Sequence, residues 1–185
     1  LLSTHDYDSP RRAGFHWLAD AFFRAGYAVD FVTVGLSPIS WLRSDYRLRR
    51  ARARGFNHAF EIGPRKRGFY WLHPFHVINL RSGWANRIST PFFRLFARLP
   101  LGNLVPVIAS ADYVIVESSL ALAFVPRVRQ INPKARLIYR VSDDVTVVGN
   151  HPVLAEFEQA AVPHFDLISI PSDYMRCKFD ASAPV

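Results

Sequence analysis

The feature of this 185-residue chain that most restricts its fold is a regular alternation of strand and helix patterns after Asp112. Short runs rich in β-branched residues predict strands at 113–116, 136–141 and 166–170. Between them, apolar residues at helical spacing predict helices that begin at Ser118 or Ser119 and at Asn150. Strands joined by helical crossovers form mainly parallel sheets. The predicted fold class is therefore α/β, a doubly wound sheet with helices on both faces.

The first hundred residues show the same alternation less clearly. A strand predicted at 1–4 precedes a helix that we expect to begin at Ser9-Pro10, because serine can cap a helix and proline is tolerated in its first turn. We expect Gly26 to end this helix. Further patterns predict strands at 27–35 and 56–62 and an amphipathic helix at 87–98. The length fits one domain over residues 1–185.

Composition excludes several classes of protein. Half of the side chains are hydrophobic, which rules out a disordered tail, and the uncharged runs are too short for a spanning helix of about 20 residues. The single cysteine, Cys177, cannot form an internal disulfide, and no secretion signal is visible, so we expect the cytoplasm. Because the chain begins at Leu1 and its one methionine is Met175, we expect a fragment of a longer protein.

The net charge of +8 comes entirely from the first hundred residues, mostly from arginines interleaved with aromatic residues. The central part of this segment consists of Trp41, Arg43, Arg47, Arg49, Arg50, Arg52 and Arg54. Such a pattern suits an anionic surface, either nucleic-acid phosphates or an anionic lipid leaflet. A solvated arginine-rich loop is the third interpretation, and composition does not choose among them.

Ligands of doubly wound sheets bind outside the carboxyl ends of the strands, so polar residues directly after predicted strands are candidates for a site. His5 and Asp6 follow the first strand, and Arg11 and Arg12 fall in the first turn of the helix predicted next. Cations at that position oppose the helix dipole unless an anion lies nearby. The two arginines therefore predict either an anion site or two solvated side chains.

Glu117 and Ser118 follow the strand predicted at 113–116. A carboxylate at the carboxyl end of a strand can accept hydrogen bonds from sugar hydroxyls. It can equally form an ion pair with Arg11 or Arg140, and both interpretations stay open.

Asp143 and Asp144 follow the strand predicted at 136–141. Their carboxylates can supply a general base, bind a divalent metal through oxygen or cap the next turn. His73 and His76 have ligand-like spacing, but Pro74 lies between them and no third ligand is obvious, so we interpret them as structural. The sequence contains no glycine-rich dinucleotide or P-loop motif and no nucleophile elbow.

Three segments resemble one known family: STHDYDSPRRA at 3–13, DYVIVESSLALAF at 112–124 and INPKARLIYRVSD at 131–143. In this order they are similar to the amino-terminal domain of the GumK glucuronosyltransferases, whereas the basic middle matches poorly. The resemblance implies half of a GT-B fold, in which two Rossmann-like domains face a cleft and bind acceptor and nucleotide sugar. This chain corresponds to the first domain, so we expect the donor domain to be absent from it and the fragment alone to be inactive.

The resemblance also implies a mechanism. The family is inverting and metal-independent, and it uses no cofactor besides its nucleotide-sugar donor, a UDP-sugar. Its catalytic base is the aspartate of a Y-R-A-S-D-G motif, which here reads YRVSDD at 139–144, so Asp143 takes that role by position. Asp144 replaces the family's glycine, and a second carboxylate would raise the proton affinity of the base if both were buried. Pro126, inside the predicted helix, is another departure.

The family's acceptor is a polyprenyl-diphosphate-linked oligosaccharide of bacterial polysaccharide synthesis. The implied partners are this lipid-linked acceptor, the donor domain and an anionic membrane contacted by the arginine-rich segment, at the inner face of the cell membrane, with no nucleic acid. The residues expected to bind substrate are His5, Asp6, Arg11, Arg12, Glu117, Ser118 and Arg140. The alternative function is a non-catalytic basic α/β module that binds nucleic acid or membrane, and a third is a scaffold domain without chemistry.

Overall fold

The computed structural model describes residues 1–41, 46–74, 77, 83–147 and 151–179. Within these ranges one sheet is formed by β1 (Leu2–Ser3), β2 (Val29–Leu36), β3 (Ala59–Gly63), β4 (Lys66–Leu72), β5 (Tyr113–Glu117), β6 (Arg136–Arg140) and β7 (Leu167–Ser169). The helices are α1 (Gly14–Arg24), α2 (Tyr46–Arg54), α3 (Gly83–Arg98), α4 (Leu104–Ala109), α5 (Val125–Ile131) and α6 (Val153–Ala161). Shorter 3-10 segments lie at Pro38–Trp41, Leu120–Phe124, Val162–His164 and Asp173–Lys178.

The sheet has the strand order β3-β4-β2-β1-β5-β6-β7. Every neighbouring pair is parallel except β3 and β4, which are antiparallel. Apart from the edge strand β3, the strands β1, β2 and β4 follow one another outward on one side of the sheet centre, and β5, β6 and β7 do so on the other side. This is the doubly wound, Rossmann-like α/β arrangement, so the predicted fold class is confirmed. The order reverses between β1 and β5, where such sheets open a crevice at the carboxyl ends of the strands.

Both faces of the sheet are covered, as the buried strand β5 shows. Val114 and Val116 belong to a large apolar cluster that includes buried residues of α3, α4, α5 and α6. Ile115, which points to the other face, packs in a second cluster with Phe15 of α1 and Phe31 of β2. Continuous burial of apolar residues is typical of strands in parallel sheets, where helices cover both sides.

Most predicted elements are confirmed with small differences at their ends. The strands predicted at 1–4, 27–35, 113–116, 136–141 and 166–170 correspond to β1, β2, β5, β6 and β7. Gly26 has a positive φ of 96° just after α1, the conformation that ends a helix at little steric cost when the residue is glycine. The cap predicted at Asn150 lies outside the described residues.

Helix α1 begins at Gly14, so the start predicted at Ser9-Pro10 is wrong. The preceding segment is a turn, because the backbone oxygen of Asp6 accepts a hydrogen bond from the Ser9 N–H (2.9 Å). The helix is capped by a histidine and not by a serine: the Ala13 N–H donates to His16 Nδ1 at 3.0 Å. His16 Nε2 then donates to the backbone oxygen of Asp6 at 2.7 Å, which connects the cap to the β1 loop.

The helix predicted after Glu117 is divided in two. Ser119 Oγ accepts a hydrogen bond from the Ala121 N–H (3.3 Å) and begins the 3-10 segment Leu120–Phe124. Helix α5 starts at Val125, which places Pro126 in its first turn, where proline removes no hydrogen bond of the helix. Pro126 therefore marks a helix start in this chain.

The middle of the chain adds two strands to the sheet. The strand predicted at 56–62 is β3, and the helix predicted at 87–98 lies within α3. Strand β4 was missed, because its sequence of basic and aromatic residues has no clear apolar period, although Tyr70 and Trp71 are almost fully buried in it. Pairing with β2 buries this strand.

Candidate functional site

Glu117 occupies the centre of the carboxyl edge of the sheet. It is the last residue of β5, and its side chain is only 4 % exposed. Ser3 Oγ donates a hydrogen bond to its Oε2. Arg140 Nη1 lies 3.4 Å from its Oε1, and His5 Nε2 lies 3.4 Å from its Oε2. A buried carboxylate is stable only with such partners, so Glu117 gathers the ends of β1, β5 and β6 into one cluster.

The electrostatics of this cluster favour a protonated His5. The hydrogen bond to Glu117 is the largest influence and raises the pKa of His5, assisted by the Glu117 charge. Burial and the charges of Arg47 and Arg140 oppose this shift. The sequence left open whether Glu117 binds sugar hydroxyls or forms an ion pair. In the structure its ion-pair partner on β6 is Arg140.

Arg140 reaches the start of α1 because residue 14 is a glycine. The register of β5 and β6 places Arg140 beside Glu117. A Cβ atom built on Gly14 would overlap Arg140 Nη2, so a larger residue there would push the guanidinium away. A cation at a helix N-terminus opposes the helix dipole, and the buried carboxylate offsets this repulsion.

Asp143 lies on the loop that follows β6 and is exposed to solvent. No hydrogen bond or ion pair joins its side chain to another part of the chain that the structure describes. The loop itself is fixed, because the Ser142 N–H donates to Ser118 Oγ at 3.1 Å. Asp143 is therefore a solvent-facing carboxylate on a supported loop at the carboxyl edge, the placement a general base needs.

Asp144 has a different environment from its neighbour. Lys178 Nζ donates to its Oδ1 at 2.7 Å, and Thr146 donates to the same oxygen through its N–H (2.9 Å) and its hydroxyl (2.7 Å). These bonds, first the one from Lys178, lower the pKa of Asp144 to about 2. Asp143 is exposed and Asp144 is partly buried, so the two carboxylates do not form a buried pair. Of the three predicted roles, Asp144 has that of a turn cap.

Asp6, predicted to bind substrate, is completely buried. Tyr70 Oη donates to its Oδ1 at 2.6 Å, and Arg50 Nη1 donates to its Oδ2 at 3.1 Å. The pKa of the Tyr70 hydroxyl is raised, by burial first and then by its hydrogen bond to Asp6. The enclosed carboxylate anchors the β1 loop, because both of its oxygens accept hydrogen bonds from side chains of β4 and α2.

Three arginines of α2 contact the same loop. Arg47 Nη1 donates to the backbone oxygen of Thr4 at 2.6 Å, Arg50 donates to that of Asp8, and Arg54 lies 3.7 Å from the Asp8 carboxylate. Arg49 and Arg52 are exposed, whereas Arg43 and the side chain of Trp41 lie outside the described residues. Three of the arginines predicted to contact an anionic surface, Arg47, Arg50 and Arg54, therefore form contacts within the domain.

Arg11 and Arg12 lie before α1 and not in its first turn. Arg12 pairs with Asp20 at 2.6 Å, and its guanidinium lies 5.2 Å from the ring centre of Trp17. Arg11 is exposed, and its backbone N–H donates to Ser9 Oγ at 3.2 Å. The structure does not bring either guanidinium into a contact with Glu117.

A cavity of about 250 Å³ opens beside the Asp143 loop. It is lined by Thr4, Val77, Phe93, Ser118, Ser119, Leu120, His151 and Leu154. Thr4 and Ser119 lie just after β1 and β5, where the sheet topology predicts residues of a site. Phe93 and His151 come from distant parts of the chain, and the topology does not predict them. A second cavity, of about 300 Å³, lies at the amino ends of the strands, away from these carboxylates.

His151 joins two helices at this cavity. Its Nδ1 accepts a hydrogen bond from the Val153 N–H of α6 (3.2 Å), so the proton of the neutral ring is on Nε2, which lies 2.9 Å from Ser89 Oγ and 3.1 Å from the Asn86 oxygen of α3. Its ring stacks on Phe93 at 4.1 Å. Burial is the main cause that lowers the pKa of His151.

Helix α3 exposes an apolar stripe to solvent, which we call the α3 outer face. Its residues are Trp84, Ile88, Phe92 and Leu95, which are 72 %, 60 %, 49 % and 50 % exposed. Their spacing places them on one side of the helix, while Phe93 and Phe96 are buried on the other. In the described parts of the chain, no helix is long and apolar enough to span a bilayer.

The strand order and the polar cluster at its reversal point define a Rossmann-like α/β domain, a class of protein in which ligands bind at the carboxyl edge of the sheet. Residues 1–171 match the family model described as the amino-terminal domain of the glucuronosyltransferase GumK, and the chain therefore belongs to this family. The resemblance seen in the sequence is confirmed.

A similar curated protein is the UDP-glucuronate:glycolipid 2-beta-glucuronosyltransferase of Xanthomonas campestris pv. campestris, with 28% identity over 179 residues. The alignment covers 95% of this chain and 43% of the relative. The chain thus spans less than half the length of this relative.

Proposed function

We propose that this domain is the acceptor-binding half of an inverting, metal-independent GT-B glycosyltransferase. The donor is a UDP-sugar, with UDP-glucuronate the first candidate, and the acceptor is a lipid-linked oligosaccharide of bacterial polysaccharide synthesis. The observation that supports this most is the solvent-facing Asp143 on its supported loop, in the motif position of the family's base. Family membership and the name of the Xanthomonas relative support the choice of substrates.

In the proposed reaction, Asp143 removes the proton from one acceptor hydroxyl. The hydroxyl oxygen forms a bond to the anomeric carbon of the donor sugar while the bond to the nucleotide diphosphate breaks on the opposite face. The products are the inverted glycoside, the nucleotide diphosphate and the proton held by Asp143. We propose that the leaving diphosphate is bound by the donor domain that the family resemblance implies. The Xanthomonas relative, of which this chain covers 43%, is long enough to contain such a domain.

The acceptor is oriented by the polar cluster and by the cavity next to it. The side chains of His5 and Arg140 are 43 % and 29 % exposed, so the imidazole and the guanidinium can both contact an anionic group while Glu117 holds them from below. Ser118 and Thr4 provide hydroxyls at the cavity, and Phe93, Leu120 and Leu154 provide apolar walls. This mixture suits a sugar with an apolar carrier attached.

We place the membrane contact on the α3 outer face and not on the arginines of α2. An exposed apolar stripe with a tryptophan is typical of a helix that lies in the interface of a bilayer. Arg87 and Arg98, both exposed, flank the stripe and suit anionic headgroups. The domain would thus lie at the inner face of the cell membrane, where a lipid-linked acceptor is found.

The nucleic-acid alternative relied on the arginine-rich segment. Because Arg47, Arg50 and Arg54 contact the β1 loop, no observation favours that function, and we do not propose it. The direct test is sugar transfer by the full-length protein from UDP-glucuronate and from other UDP-sugars to a lipid-linked oligosaccharide. We expect transfer to the lipid fraction with UDP-glucuronate. Failure with every UDP-sugar would overturn the proposal.

A further inference from the structure

One lysine connects the end of the described chain to the Asp143 loop. Lys178 Nζ lies 2.7 Å from Asp144 Oδ1 and 2.8 Å from Glu158 Oε2. The Lys178 side chain is only 18 % exposed, and that of Glu158 is 5 % exposed. The ion pair is therefore largely shielded from water, where charge interactions are stronger than at a surface.

The lysine belongs to a continuous hydrogen-bonded network under the loop. Glu158 Oε1 accepts a hydrogen bond from Tyr139 Oη at 2.5 Å, and this hydroxyl lies 3.1 Å from Ser118 Oγ. Ser118 Oγ in turn accepts the Ser142 N–H at 3.1 Å. Asp143 is thus held on both sides, through Ser142 by Ser118, which directly follows β5, and through Asp144 by the 3-10 segment Asp173–Lys178.

We propose that Lys178 is a positioning residue for sugar transfer: it fixes the loop that carries Asp143 and offsets the negative charge of Asp144 beside it. This inference rests on the proposed function. A residue that positions a general base changes the rate when the base moves by about an ångström, even without touching substrate. Lys178 can position Asp143 in this way, because it binds Asp144, the next residue in the chain.

Lys178 also changes the electrostatic environment of Asp143, because it offsets the charges of two nearby carboxylates. The titratable and charged groups that surround the loop are Asp144, Lys178, Glu158, Tyr139, Glu117, Arg140 and His5. On the same elements, Asp173 lies 3.7 Å from Arg176 and Glu156 lies 3.1 Å from Arg94, while Tyr174 and Cys177 are exposed. The pKa of Tyr139 is raised, by burial first and then by the Glu158 charge, so this hydroxyl stays neutral. Arg140 and His5 already face Glu117. Lys178 is therefore the cation that faces Asp144 and Glu158 among the described residues.

The test measures kcat and KM of the full-length enzyme across pH for Lys178→Met and Lys178→Arg. We expect Lys178→Met to lower kcat by about tenfold or more, with a smaller change in acceptor KM. The acid limb of the kcat/KM profile should move upward by about half a pH unit, because the uncompensated carboxylates make Asp143 harder to ionise. Lys178→Arg should recover most of both effects.

Two variants separate positioning from a general loss of stability. Lys66→Met is the matched control, because Lys66 is also mostly buried and pairs with Asp20 at 2.7 Å, on the other side of the sheet. It should leave the acid limb in place. Asp144→Asn removes the neighbouring carboxylate and should move the acid limb downward, and it serves if Lys178→Met does not fold.

An unchanged acid limb in both Lys178→Met and Asp144→Asn would overturn the proposal, as would equal losses of kcat in Lys178→Met and Lys66→Met. Asp143→Asn, assayed in parallel, distinguishes this failure from failure of the proposed function. If Asp143→Asn is inactive and the Lys178 variants behave like the control, only the positioning role is lost. If Asp143→Asn transfers sugar normally, the proposed function itself is wrong.

Discussion

Arg140 Nη1 lies 3.4 Å from Glu117 Oε1 at the last paired residues of β5 and β6, and this ion pair forms the floor of the proposed crevice. The contact depends on the absence of a side chain at residue 14, against which the guanidinium lies. Gly14 therefore determines how closely the Arg140 guanidinium can approach the start of α1.

Replacing Gly14 with alanine should displace Arg140 and weaken acceptor binding. The new Cβ would overlap the end of a flexible side chain, so the domain should lose less than about 1 kcal/mol of stability. We expect acceptor KM to rise by about threefold to tenfold, because one charge-assisted contact is weakened. Steady-state kinetics with Gly83→Ala as control tests this, since a Cβ at Gly83 meets nothing within 4 Å. Equal KM values in both variants would contradict it.

The buried carboxylate of Asp6 should depend on the hydroxyl of Tyr70. Tyr70→Phe removes a donor at 2.6 Å from a completely buried acceptor, and we expect a loss of about 1–3 kcal/mol in the free energy of unfolding. Denaturant unfolding should show a lower midpoint with an unchanged slope. Tyr113→Phe, at an exposed tyrosine, is the control and should change stability by less than about 0.5 kcal/mol. Similar midpoints for the two variants would refute the role of Tyr70.

His151 should make the domain less stable in mild acid. Because burial lowers the pKa of His151 in the folded state, the unfolded chain binds the proton more readily. The contribution of the neutral ring is complete above about pH 6.5 and is lost as the pH falls below this value toward the folded-state pKa. Unfolding measured from neutral to mildly acidic pH should show a steeper loss for the wild type than for His151→Gln. Parallel curves would show that His151 does not titrate in this way.

The α3 outer face should hold the domain on vesicles. Replacing Trp84 and Phe92 together with serine removes two exposed rings, and we expect membrane binding to weaken by at least about tenfold. Sedimentation with vesicles containing phosphatidylglycerol tests this, and vesicles without anionic lipid measure the part due to charge. Trp17→Ser, another exposed tryptophan, is the matched control. Equal binding by the double variant and the control would place the contact elsewhere.

The sequence predicted the fold well where local pattern and burial agree. Strand β5 could be recognised because all its central residues are apolar and buried. Strand β4 could not, because Lys66 and Arg67 begin a run of aromatic residues that only pairing with β2 buries. The start of α1 was misplaced because its N-cap residue is Ala13, which has no capping side chain, and the capping hydrogen bond comes from the ring of His16 inside the helix.

The site was predictable to the extent that it follows the ends of the strands. His5, Glu117 and Arg140 lie together as parallel topology requires. Long-range partners were not predictable from spacing. Arg47 donates to Thr4 across 43 positions of the chain and Lys178 to Asp144 across 34, and charge pattern alone does not distinguish such contacts from solvated side chains.

The central claim is that the exposed carboxylate of Asp143 is the base for sugar transfer. Asp143→Asn keeps the shape of the side chain and removes its ability to accept the proton. Transfer from UDP-glucuronate to a lipid-linked acceptor by the full-length protein should fall by about a hundredfold to ten-thousandfold, with stability and acceptor KM close to the wild type. Wild-type rates in this variant would contradict the account.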